Sequence, residues 1–221
     1  MNPRSLGVAV RLMTLVVAMF AASTLSAQSD GTELLSDARA RDAIQQVIRN
    51  TQSKNVSIEP LLLKVREGVS KQSEPALIQQ AVRVLAKRLE ISSAALAPTY
   101  SVEELSAGAN ALLIGVPAPT LRELRKLWPN KPLTVPLGIL YELVAHQVPV
   151  AKATKRVREL MERGATSSQL VAMATNVEAD VAAGLSADAA LELRAKGVMS
   201  LLPTPVGTAT IVPSKPRIRP K

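Results

Sequence analysis

Apolar residues recur along this chain at intervals of three and four, the spacing that lines one face of an α-helix. Ala40, Ala43, Ile44, Val47 and Ile48 form the first such stripe. Ile58, Leu62, Val65 and Val69 form the second, and Leu77, Ile78, Ala81, Val82, Leu85 and Leu89 the third. Further on come Leu137, Leu140, Val144 and Val148, then Val150, Ala153, Val157, Leu160 and Met161. Leu170, Ala174, Val177 and Val181 follow, and Ala189, Ala190, Leu193 and Val198 close the series. The periodicity predicts an all-α fold, an irregular multi-helix bundle of helical hairpins with about eight helices.

The punctuation between the stripes is helical too. Ser73-Glu-Pro75 predicts a helix start, with serine as cap and proline in the first turn. Ser101-Val-Glu-Glu104, Thr120-Leu-Arg-Glu123 and Thr166-Ser-Ser-Gln169 have the form of capping boxes. Gly115-Val-Pro117, Gly164-Ala-Thr166 and Gly184-Leu-Ser186 repeat one corner: glycine for a left-handed turn, an apolar pin, then a residue that opens the next helix. Gln147-Val-Pro149 is the same corner with glutamine in the glycine position. Lys64-Val-Arg-Glu67 with Ile78 is echoed 92 residues on by Arg156-Val-Arg-Glu159 with Leu170, as duplicated helical hairpins would give.

The N-terminus breaks the pattern. Arg4 and Arg11 precede an uncharged, largely apolar run from Leu12 to Leu25, and Ser26-Ala27 ends it with small residues. This is the order of a secretory signal peptide, 1–27, with cleavage after Ala27. The alternative, an uncleaved N-terminal membrane anchor, wants about 20 mostly apolar residues, and this run is shorter and ends in Ser, Thr and Ala. Residues 28–36 then read as a flexible lead-in, 37–202 as the helical domain and 203–221 as a Pro-rich, basic, disordered tail. The expected location is therefore exported, periplasmic or secreted.

Composition narrows the chemistry. The chain has no cysteine, so it has no disulfide, thiol nucleophile or thiolate metal site, and no lipidated N-terminal cysteine. Outside the leader the aromatic residues are Tyr100, Trp128 and Tyr141, too few for a typical sugar-binding groove or β-sandwich core. Of the net charge of +9, the leader supplies two and the tail four, leaving three for residues 28–202. The high pI is thus largely a tail property, and with export it argues against a nucleic-acid binder.

Reactive centres are hard to assemble from what remains. His146 is the single histidine; Glu142, one turn earlier, could orient it, but the favoured reading is a partly exposed helix-end histidine placed by the macrodipole. One histidine without cysteine makes no zinc site, and no metal or cofactor is expected. Glu103 with Glu104, or Glu67 with Glu74, could be read as acid/base pairs, but they fall at helix starts and on polar faces. The charged run from Lys152 to Arg163 is largely self-paired at i, i+4 and reads as a solvated face, with a docking stripe for an acidic partner as the alternative. Trp128 beside Arg122, Arg125 and Lys126 reads as a loop corner, or as an aromatic-plus-basic patch.

The Gly-apolar-Pro/Ser/Thr linkers, the Val-Arg-Glu elements and the leader together resemble uncharacterised bacterial exported helical proteins, over roughly residues 58–198. That resemblance implies no activity. The sequence points to a non-enzymatic binding or structural module of the bacterial cell envelope. Lys215, Arg217, Arg219 and Lys221 of the tail are its candidate contacts to an anionic envelope polymer or lipid. The alternatives are a chaperone-like or inhibitor-like partner protein with an apolar groove between helices and, less favoured, a cell-wall hydrolase.

Overall fold

The computed structural model describes residues 32–98 and 101–203. The expected leader with its cleavage point at Ala27, and the tail cations Lys215, Arg217, Arg219 and Lys221, lie outside the described residues. Within them the fold is all-α. A 3-10 turn at Thr32–Leu34 is followed by α1 (Ala38–Gln52), α2 (Glu59–Ser70), α3 (Pro75–Leu96) and α4 (Val102–Leu113). Then come α5 (Ala118–Leu127), α6 (Thr134–Ala145), α7 (Val150–Glu162), α8 (Ser167–Ala182) and α9 (Ala187–Leu201). Nine helices stand among the described residues, rather than about eight. Even the ten-residue α5 is a full element, because it buries Leu121 and Leu124.

The corners explain why so many helices pack in so short a chain. Gly115, Gly164 and Gly184 take positive φ, and Gln147 does so at φ 66°, as the repeated corner requires. At each, the next residue's N–H reaches back to the carbonyl five residues earlier: Val116 to Ala111, Val148 to Leu143, Ala165 to Leu160 and Leu185 to Asp180, at 2.9–3.0 Å. Two further left-handed corners, Asn55 and Gln72, carry no glycine signal. Because Ser73 closes the corner after α2, with its N–H on the Gly68 carbonyl at 3.0 Å, the cap of α3 is Glu74 instead, with Pro75 as the first helical residue.

The capping boxes fare unequally. Thr166 and Gln169 complete theirs reciprocally. Ser101 accepts from the Glu104 N–H at 3.1 Å, but the Glu104 side chain turns inward rather than back. Thr120 caps nothing: α5 begins after Pro117, so Thr120 sits in its first turn.

Two apolar clusters meet along α3. The first joins α1, α2, most of α3 and part of α4, and includes Ile44, Leu61, Val65, Ile78, Val82 and Leu89. The second joins the end of α3 to α5–α9, and includes Leu96, Leu121, Leu137, Leu160, Leu170 and Leu191. Each fully buried side chain of this kind contributes roughly 1.5–3 kcal/mol through the water it leaves. The stripes are rotated slightly from expectation. Leu61 is buried and Leu62 half-buried; Leu77 and Leu193 face solvent, while Ile78 and Leu191 go inside. Residues 32–36, expected as lead-in, pack as well: Leu35 joins the first cluster and its carbonyl accepts from Arg41 at 2.5 Å.

Gly108 sets the distance between α3 and α4. A Cβ there would lie 2.1 Å from the Ser92 Oγ, which donates to the Leu105 carbonyl at 3.0 Å. The two helices touch backbone to side chain, and that closeness fixes where the first turn of α4 emerges.

Candidate functional site

Among the described residues, one ion pair lies in the interior, as part of a hydrogen-bonded knot. Arg125 is buried on the face of α5 that carries Leu121, Leu124 and Trp128, and Glu104 is fully buried on α4. The Arg125 guanidinium donates from Nη2 to Glu104, from Nε to the Leu96 carbonyl at 3.0 Å, and from Nη1 to the carbonyls of Trp128 and Lys131 at 3.1 and 2.8 Å. The same Glu104 oxygen accepts the Leu133 N–H at 2.6 Å. A buried charge costs several kcal/mol unless it is paired and hydrogen-bonded, and here it is both. The knot therefore ties the end of α3, the start of α4, the end of α5 and the loop into α6.

This knot decides between the paired readings of these residues, in each case for the one the sequence favoured. Arg125 is not part of a surface basic patch, and Trp128 is a buried corner with the Lys131 ammonium 5.3 Å from its ring centroid. Glu103 and Glu104 do not form an acid/base pair, since one faces solvent and the other the core. A signal was present: positions 121, 124, 125 and 128 share one helix face.

The knot positions α4 and α6, and between them and α2 lies an open groove of about 450 Å³. Its apolar surface comes from Pro60 and Leu63 of α2, Val102 and Ala107 of α4, and Gly138 of α6. Leu63 and Tyr141 stand into solvent at 55% and 42% exposure. Glu59, Glu103 and Glu142 supply carboxylates, one from each helix, and no lysine or arginine lines the groove. Glu103 also accepts from Ser101, which holds its carboxyl below the usual range.

The three acids differ in what their helices explain. Glu59 and Glu103 sit in first turns, where the macrodipole favours a negative charge. Glu142 sits in the last turn of α6, where the dipole opposes it. Helix stability does not account for that carboxylate.

Elsewhere charges are mostly matched. On α7, Lys152 pairs with Asp188 and Arg156 with Glu159 and Glu192, while Arg158 reaches Glu123 and Glu162 at 3.5 Å. Glu192 and Glu159 raise the Arg156 pKa. The run from Lys152 to Arg163 is thus partly glue to α5 and α9. Glu67 is clasped by Lys64 and Lys71, which lower its pKa to about 2, so it is no proton donor at neutral pH. Among the described residues, no ion pair joins Glu59, Glu103 or Glu142 to a cation. His146 caps the C-terminus of α6, and its Nε2 lies 3.7 Å from Glu178, not on Glu142. Among the described residues, no group of three or more histidine, cysteine, aspartate or glutamate side chains is placed to hold a metal ion, and no helix is long and apolar enough to cross a membrane.

The chain matches no protein-family model, no curated protein and no solved structure.

Proposed function

We propose that the protein is a non-enzymatic binding module, exported through its leader, that holds an extended basic polypeptide segment in the α2–α4–α6 groove. The observation that carries this reading is Glu142. A carboxylate placed against its own helix dipole, beside two others without cationic partners, forms an acidic rim on a chain of net charge +9. The exposed Leu63 and Tyr141, which line the same groove, offer apolar contact to a segment that alternates charged and apolar residues. The bacterial envelope is the setting that the leader suggests.

The test is fluorescence anisotropy with a labelled peptide alternating arginine and valine. Binding should weaken with salt, as exposed charge pairs are screened. Glu59→Gln, Glu103→Gln and Glu142→Gln combined should weaken it about tenfold without shifting the melting temperature appreciably. Equal binding by that triple variant, or equal binding of an acidic peptide, would refute the reading.

A further inference from the structure

Resting on that reading of the groove, we infer that its resident occupant is the chain's own C-terminal segment, residues 213–221. Three observations converge. The first is charge. The groove presents three carboxylates and no cation, and the segment carries Lys215, Arg217, Arg219 and Lys221 and no acid. The second is spacing. The four cations alternate strictly with Pro216, Ile218 and Pro220. On an extended backbone, alternate residues project to opposite sides, so one side is basic and the other apolar. The groove has both complements in its lining: carboxylates from three helices, and the apolar side chains of Leu63, Val102 and Tyr141. Pro216 and Pro220 already restrict φ, so an extended segment here loses less backbone freedom on docking.

The third observation is reach. The chain leaves the described domain at Pro203, whose carbonyl accepts from Arg163 Nε and Nη2 at 3.3 and 3.1 Å. A chain of 18 residues, the number from 204 to 221, spans at most about 60 Å. A domain of this size has a radius of gyration of about 15 Å, so the basic end can reach the groove from there. Tethering raises the local concentration of the segment to roughly millimolar, so even weak ion pairs and one apolar contact hold it. A partner's basic segment then competes with the chain's own, which makes the tail a latch on the binding site.

The absence of cysteine gives a clean test on the whole chain. Asn110→Cys places a thiol in the groove and Ser214→Cys one at the start of the basic segment; Thr175→Cys, exposed on α8, is the control partner. Under mild oxidation the 110–214 pair should close within the monomer about tenfold faster than the 175–214 pair. Replacing Glu59, Glu103 and Glu142 by glutamine should erase that preference. A peptide of sequence 203–221, titrated into the whole chain with its four tail cations changed to glutamine, should bind at the groove; with the native tail in place it should bind more weakly. Equal closure rates at 110 and 175, with the free peptide still bound by the groove carboxylates, overturn the latch and leave the groove reading standing. Absence of peptide binding overturns both. Tail-dependent attachment to anionic lipid vesicles that leaves the 110–214 closure rate unchanged also overturns the latch.

Discussion

Glu103 and Glu104 are neighbours on one helix and belong to different parts of the molecule. Glu104 is fully buried, bonded to Arg125 and to the Leu133 N–H, and fixes how four segments meet. Glu103 faces the groove, hydrogen-bonded to Ser101 at the start of its own helix. The same chemical group is structural in one direction and available in the other. The difference comes from α4 itself. Gly108 and Ser92 press that helix against α3, which commits the 104 side to the interior and leaves the 103 side open.

The hardest test of this contrast is the knot. Glu104→Ala leaves a buried guanidinium and a buried N–H without their acceptor. Arg125→Ala strands a buried carboxylate. Each should cost about 3–5 kcal/mol in urea unfolding, the range for breaking a buried pair. For a domain of this length that corresponds to a fall in Tm of roughly 6–20 °C. The double change Glu104→Leu with Arg125→Met should recover much of the loss, because neither charge is then stranded. A Glu104→Ala variant as stable as the parent would erase the distinction between the two glutamates.

A smaller effect is expected where the helices touch. Gly108→Ala places a methyl 2.1 Å from the Ser92 Oγ and 2.7 Å from the Leu96 Cδ1. The overpacking should cost about 1–3 kcal/mol in chemical unfolding. Ser92→Ala in the same chain should relieve part of it, although the Leu105 carbonyl then loses its hydroxyl donor. If Gly108→Ala also weakens peptide binding, the close approach is setting the groove as well as the core.

The corners, in contrast to the knot, were legible in the sequence. Glycine, an apolar pin and a helix-starting residue describe a backbone geometry that depends on a few consecutive positions, and even Gln147 was placed correctly. Glu104 was not legible, because a capping-box glutamate looks like a surface residue until tertiary packing covers it; Arg125 shares a helix face with positions 121, 124 and 128, but within a basic cluster that signal does not separate it from its exposed neighbours. The groove was illegible for a different reason. Its acids stand at 59, 103 and 142, and only the folded arrangement of α2, α4 and α6 brings them together. The corners yield their own prediction. Gly164→Ala should cost about 1 kcal/mol in thermal unfolding, since alanine resists positive φ. Gln147→Gly should cost nothing, or stabilise by up to about 1 kcal/mol, because the left-handed strain is removed while the unfolded chain gains freedom. Loss of stability on Gln147→Gly would mean that its side chain matters to the end of α6.

The smallest expected effect is at Glu103, and it separates the two glutamates most sharply. Glu103→Gln should leave the unfolding midpoint at neutral pH essentially unchanged, as is usual for an exposed position, while weakening peptide binding. Its carboxyl is held below the usual value in the folded chain by the Ser101 hydrogen bond. A carboxyl with a lowered folded pKa adds stability above its unfolded pKa, and that stability fades as the pH falls through the unfolded and then the folded value. The wild-type chain should therefore lose slightly more stability than Glu103→Gln on going from pH 6 to pH 3, by thermal unfolding at matched ionic strength. Glu67, lowered to about 2 by Lys64 and Lys71, gives the same sign over the interval from about 4.5 down to 2. Parallel acid limbs for the parent and Glu103→Gln would show that the Ser101 contact holds no charge preference. Glu103 would then differ from Glu104 only in exposure.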